Sequence, residues 1–236
     1  MLIANDNLKD KIQTELNVKY QKEWDTSVKT FNKTFDTKPT NPLLIDIPSD
    51  YFCADCKVMI FGKETNVWEG EFPHKKGIDH LLSTYKDFIK KSHKGSFWNG
   101  VSKFKDALTK RLPPGKNVSV IWNNLIKIGK AQEKGAPEEA IVEWESNWFY
   151  VVLFEIKELK PDIVIFFSGP NYDRYIKTIF NNACFDSINP SRPVKQIARV
   201  KADGLPFNSI RTYHPNYLWR HNFCKYLEEI IASLNV

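Results

Sequence analysis

The chain has 236 residues, 42% of them hydrophobic and 14% aromatic, which is enough for one globular domain with a sizeable core, or one domain plus an N-terminal extension. Its 34 lysines and arginines against 28 acids leave a formal charge of +6, a balance that permits a polyanionic partner without demanding one. The longest apolar runs are strand-length and far short of a membrane span, and the polar N-terminus carries no signal-peptide pattern, so a cytoplasmic protein without membrane association is expected.

Leu8, Ile12, Leu16, Tyr20, Trp24, Val28, Phe31 and Phe35 recur at three- and four-residue steps, and this stripe predicts one long helix over residues 8–35. The prolines of segment 37–42 end it. Residues 1–42 therefore read as an N-terminal helical extension, packing on the domain or meeting a partner, and residues 43–236 as the main domain. Residues 43–48 are a lead-in loop or short edge strand. The run Lys57 to Gly62 predicts the first central strand, apolar enough for burial on both faces. Two helices follow over 78–90 and 96–112, the second with Ser96 as N-cap and with Pro113, Pro114 and Gly115 as its stop. Residues 117–122 predict the second strand. Pro137, Glu138 and Glu139 open a helix in the favoured way, with an apolar face running Ile141, Trp144, Trp148, Val151, Val152 and Leu159. A third strand over 162–167, a helix over 172–180, a fourth strand over 209–213 and a closing helix over 217–234 complete the pattern.

That alternation predicts an α/β fold, a single three-layer α/β/α domain around a central, mainly parallel four-stranded sheet. Ligands in such folds bind beyond the carboxyl ends of the strands. All four predicted strands end in polar chemistry: Gly62 to Trp68, then Asn123 and Asn124, then Ser168 to Asn171, then His214 to Tyr217. These tips are expected to form one mouth.

Of the four cysteines, Cys53 and Cys56 have metal-ligand spacing, but Cys184 and Cys224 stand alone and no second ligand pair accompanies them. A closed zinc site needs that pair, so a structural role and no metal are expected, and a cytoplasmic chain gives no reason for disulfides. The pairs Lys75-Lys76 and Lys90-Lys91 read as a solvated face.

The segment Thr212-Tyr213-His214-Pro215-Asn216-Tyr217-Leu218-Trp219-Arg220 closely resembles the second motif of the uracil-DNA glycosylase superfamily, nearest to its bacterial branch with a Tyr-His-Pro-x-x-Leu-x-Arg ending. Asn124-Leu125-Ile126-Lys127 is similar to that family's Asn-Val-Val-Lys segment. Residues 160–169 resemble the strand between them, and Gly62-Lys63-Glu64-Thr65-Asn66 sits where the family has its first-motif loop. The resemblance covers residues 57–234. Two departures stand out: Thr65 replaces the first-motif proline, and the branch's iron–sulfur cysteines are missing, with Ile128 just past Lys127. A cluster needs four cysteine ligands, and no cofactor is expected.

The resemblance implies hydrolysis of the N-glycosidic bond of a flipped, deaminated base such as uracil in single- or double-stranded DNA; a monomer is expected. Glu64 would position water and stabilise the cationic sugar, against the alternatives of helix capping or pairing with Lys63. His214 would donate to the developing anion on the base. Asn124 would pair with the base edge, with Asn123 as the alternative one residue away. Gly62, Lys63, Thr65, Asn66 and Ser168 would line the base site. Phe97, Trp98 and Trp68 compete as the stacking ring. On the DNA side, Leu218 or Trp219 would wedge into the gap, or else start the last helix's apolar face. Arg211 and Arg220 would meet phosphates beside Asn216 and Tyr217. The same residues leave two other readings: a module that binds a modified base without cutting it, and a hydrolase of small glycosides with Glu64 and His214 as acid–base partners.

Overall fold

A computed structural model describes residues 2–31 and 35–236. In chain order the helices are α1 (Leu2–Thr30), α2 (Gly77–Ile89), α3 (Ser96–Arg111), α4 (Glu139–Trp148), α5 (Val152–Leu159), α6 (Asp173–Ile179), α7 (Pro215–Arg220) and α8 (Phe223–Ser233). The strands are β1 (Cys56–Glu64), β2 (Val118–Ile126), β3 (Ile163–Phe167), β4 (Cys184–Asp186), β5 (Ile197–Lys201) and β6 (Asn208–Thr212). They form one sheet in the order β2-β1-β3-β6-β5-β4.

The chain divides into two compact units, Met1–Pro48, Lys63–Lys91 and Asn123–Leu159 in the first, and Ser49–Gly62, Ser92–Trp122 and Lys160–Val236 in the second. Within the first unit α1 packs on α2, α4 and α5, because its apolar stripe needs a partner surface. Ile12, Leu16, Tyr20 and Trp24 are buried, while Leu8 and Val28 stay exposed. The long helix ends at Thr30, and residues 32–34 of the predicted element lie outside the described residues. The lead-in 43–48 has no regular structure, yet Leu43, Leu44, Ile45 and Ile47 are buried in this unit.

In the second unit β3 runs parallel to the Val58–Phe61 part of β1 and to β6. β5 is antiparallel to β6, and β4 to β5. The strand faces bury Val58, Ile60, Ile163, Ile165 and Ile210 with Phe104 and Leu108 of α3 and Phe223, Tyr226 and Ile230 of α8. Each such side chain contributes about 1.5–3 kcal/mol on leaving water. The Cys56 amide donates to Asn117 O at 3.2 Å and the Thr65 amide to Ile126 O at 3.0 Å. Both bonds carry the same sequence offset, so β2 runs parallel to β1.

All four predicted strands are present and parallel, but the sheet has six strands, with β4 and β5 added at one edge. β1 and β2 also run further than predicted, so Glu64, Asn123 and Asn124 lie within strands rather than after them. The helix expected through Leu159 breaks between Trp148 and Val152, where Phe149 leaves helical geometry at φ −134° and ψ 52°. The closing helix breaks at Asn222, which is left-handed at φ 66°. A short 3-10 turn, Pro170–Tyr172, leads into α6. Ser96 is not an N-cap: Gly95, at φ 112°, holds that position, and Ser96 is the first residue of α3.

Candidate functional site

The first unit holds the β1 exit. Glu64 is half-buried, and its Oε1 accepts a hydrogen bond from Asn66 Nδ2 at 3.2 Å. Thr65, 2% exposed, is woven into the end of β2. Its amide and its Oγ1 both donate to Ile126 O, at 3.0 and 3.2 Å, and its Oγ1 accepts from Asn124 Nδ2 at 3.0 Å. A Cβ on Gly129 would lie 1.6 Å from Thr65 O, so only glycine lets that turn approach so closely. Proline at 65 would forfeit the amide and hydroxyl bonds. Threonine at this position is therefore built into the local fold.

Asn123 and Asn124 are both buried but differ in commitment. Asn123 Nδ2 donates to Glu155 Oε2 at 2.8 Å, and its Oδ1 accepts the Asn124 amide at 2.8 Å. Asn124 spends one amide proton on Thr65. Behind Asn123 lies a network whose two acids, Glu145 and Glu155, sequence reading missed. Lys127 Nζ donates to Glu155 Oε1 at 2.7 Å and to Leu43 O at 3.0 Å, and the Tyr20 hydroxyl donates to the same Glu155 oxygen at 2.6 Å. Glu145 accepts the Lys127 and Ile128 amides at 2.7 and 2.8 Å. Burial holds Lys127 below the usual lysine range and pushes the Glu145 carboxyl up to about 8. Lys63 is half-buried. Trp68, by contrast, is 8% exposed, with its ring edge-on to Phe88 at 5.4 Å, so it is core and not a stacking platform.

The second unit gathers Gly62 and the ends of β3 and β6. Gly169, at φ 78°, donates its amide to Thr212 O at 2.9 Å. Ser168 is 2% exposed, and its Oγ has no hydrogen-bond partner among the described residues. His214 caps α7: its backbone is extended, as the residue before proline must be, and its Nδ1 accepts the Asn216 amide at 3.2 Å. The Phe97 ring stacks on the imidazole at 5.6 Å and 25°.

That pairing follows from how α7 docks on the start of α3. Gly100 leaves room for Pro215, whose Cβ would sit 2.7 Å from any Cβ added there. Trp219 Nε1 donates to Ser96 O at 3.0 Å, and Ser96 Oγ to Asn216 Oδ1 at 3.3 Å. Trp98 turns instead to Trp122 and His93, with ring centroids 5.1 and 4.8 Å away. Of the three candidate platforms, Phe97 is the one against His214.

Several expected DNA contacts are otherwise engaged. Arg211 is 1% exposed and paired with Asp173, Nε to Oδ1 at 2.8 Å, with Nη1 donating to Lys195 O at 2.9 Å. It faces the interior because β6 is covered on both sides, so it does not reach a phosphate. Leu218, also 1% exposed, belongs to the second unit's core and is no wedge. Tyr217 lies between Tyr213 and His221 at 4.2 and 4.1 Å. Asn216, Trp219 and Arg220 remain exposed.

Cys56 is buried in the second unit's core, and burial raises its thiol to about 11, while Cys184 and Cys224 are exposed. Among the described residues, three metal-type donors come together at Glu69, His74 and His80. No helix among those residues is long and apolar enough to cross a membrane. The chain matches no model of a known protein family and no curated protein.

Proposed function

We propose that the protein hydrolyses the N-glycosidic bond of an extruded, deaminated base in DNA. The observation that carries this reading is the setting of His214. With Nδ1 accepting the Asn216 amide, the proton of a neutral imidazole sits on Nε2, the nitrogen that can donate. Such a donor suits an anion that forms only as the base departs. Phe97, stacked on the same ring, supplies an aromatic face.

In the proposed reaction, water attacks the sugar's anomeric carbon as the glycosidic bond breaks. The bonding pair leaves with the base, and His214 Nε2–H stabilises it at a carbonyl oxygen. Glu64 orients the water, accepts its proton and offsets the positive charge of the sugar. Asn124 reads the base edge with the amide oxygen and the second amide proton left over from Thr65. A carboxylate at the end of β1, held by Asn66, supports the role given to Glu64.

A second reading, recognition without cleavage, draws on the same tether, since Glu64 already shares its carboxylate with Asn66 Nδ2. One assay separates the two. Duplex and single-stranded oligonucleotides carrying uracil or hypoxanthine are incubated with the protein, and abasic sites are scored by alkaline cleavage. His214→Ala and Glu64→Gln are each expected to lower the rate by about 10²-fold or more. Tight, salt-sensitive binding with no product supports the second reading. Folded protein that neither binds nor cuts any of these substrates sinks both.

A further inference from the structure

We propose that Glu69, His74 and His80 form a binding site for a divalent transition-metal ion of the zinc class. The three donor atoms lie within 4.8 Å of one another. His80 Nε2 is 2.6 Å from Glu69 Oε2, and the two imidazoles stack at 4.4 Å and 14°. Two imidazoles and a carboxylate are the donor set of three-ligand zinc centres, which keep a fourth position for water or another ligand. Imidazole favours zinc, cobalt and copper over magnesium or calcium. Tetrahedral bonds of about 2.0–2.1 Å need donors about 3.3 Å apart, so loading requires that the Glu69–His80 contact open slightly, that the rest close, and that the two stacked rings turn until their in-plane lone pairs converge.

The backbone around these donors is held in advance. Asn41, 0% exposed, acts as a clamp on the loop from β1 to α2. Its Nδ2 donates to Glu69 O, Gly70 O and Glu71 O at 2.9, 3.2 and 3.2 Å, and its Oδ1 accepts the His74 amide at 2.9 Å. One buried amide therefore fixes the main chain at two of the three ligands. Glu69 itself is held in the left-handed region at φ 54°, where a side chain other than glycine is uncommon. His80 is carried by the first turns of α2. Side-chain exposures of 27% for His80 and 29% for Glu69 leave the donors reachable from solvent.

The full chain, freed of metal by a chelator, is titrated with Zn(II) against a chromophoric competitor and with Co(II) followed by its visible absorption. One equivalent of bound metal and the absorption of four-coordinate Co(II) are expected. His74→Ala and His80→Ala should each weaken binding at least about tenfold, since even outer-shell changes cost that much. The Cys53→Ser/Cys56→Ser variant should bind as the parent does. If His80→Ala does not fold by circular dichroism, Glu69→Gln and His74→Gln carry the same expectation. No stoichiometric binding, or binding lost in the cysteine variant and unchanged in the histidine variants, overturns the proposal.

Discussion

Arg211 and Arg220 flank the same motif nine residues apart and have opposite fates. Arg211 is buried against Asp173, whereas Arg220 is exposed with its Nε on Asn216 O at 3.2 Å. Removing one member of a buried pair leaves the other without compensation. Arg211→Ala should therefore cost about 2–4 kcal/mol, somewhat below the fully buried case because Asp173 retains 22% side-chain exposure. Arg220→Ala should leave stability within about 0.5 kcal/mol. On the glycosylase reading, Arg220→Ala should also weaken DNA binding and lower its salt slope by about one. Urea midpoints and a salt titration of DNA binding measure the two effects. A stable Arg211→Ala that is selectively weak for DNA would reverse the assignment. Thr65 teaches a related lesson: a residue that looks like the loss of a family proline makes two donations and one acceptance that proline could not replace.

At the level of elements, the break between α7 and α8 rests on Asn222, whose side chain accepts the Lys225 amide at 3.3 Å while its backbone is left-handed. Asn222→Ala loses the cap and strains the backbone, so it should cost about 1–2 kcal/mol. Asn222→Gly keeps the backbone freedom and should cost only a few tenths. Thermal unfolding of the parent and the two variants checks this, and midpoints equal to the parent's in both would show that neither feature matters. The break was hidden in the sequence because the apolar spacing on either side reads as one stripe, although a capping Asn stood between. β1, β2, β3 and β6 were legible because strands buried on both faces are continuous apolar runs. β4, with three residues and a charge at its end, and β5, with Arg199 and Lys201 among its apolar residues, sit at the edge and give no such run. The same logic applies to the sites. His214 was marked by proline and its aromatic neighbours. Glu69, His74 and His80 follow no ligand spacing, and their grouping depends on Asn41, some thirty residues upstream.

At the scale of the folded chain, the polar centre of the first unit sets how stability depends on pH. Glu145 is raised from 4.5 to about 8, first by burial, with the Ile128 and Lys127 amides and the Lys127 charge opposing. A carboxyl that holds its proton more tightly when folded contributes stability that is fully present below its unfolded value. That contribution is lost as pH rises through the folded value. It should therefore fall between pH 4.5 and about 8 and be flat above, by a few kcal/mol at about 1.4 kcal/mol per unit. Lys127, lowered from 10.5 by the same burial, has the opposite sign, and its share recovers as pH approaches 10.5. Glu145→Gln isolates the first effect. Glutamine can accept only one of the two amides, so the variant should be less stable at pH 5 by about 1–3 kcal/mol or more. Lacking a titrating carboxyl, it should also show a shallower decline, so that the gap to the parent narrows by pH 8. Urea unfolding of both proteins at unit steps from pH 5 to 9 measures that gap. Parallel curves would mean that Glu145 is ionised in the folded chain throughout, with its two amide bonds and Lys127 outweighing the cost of burial.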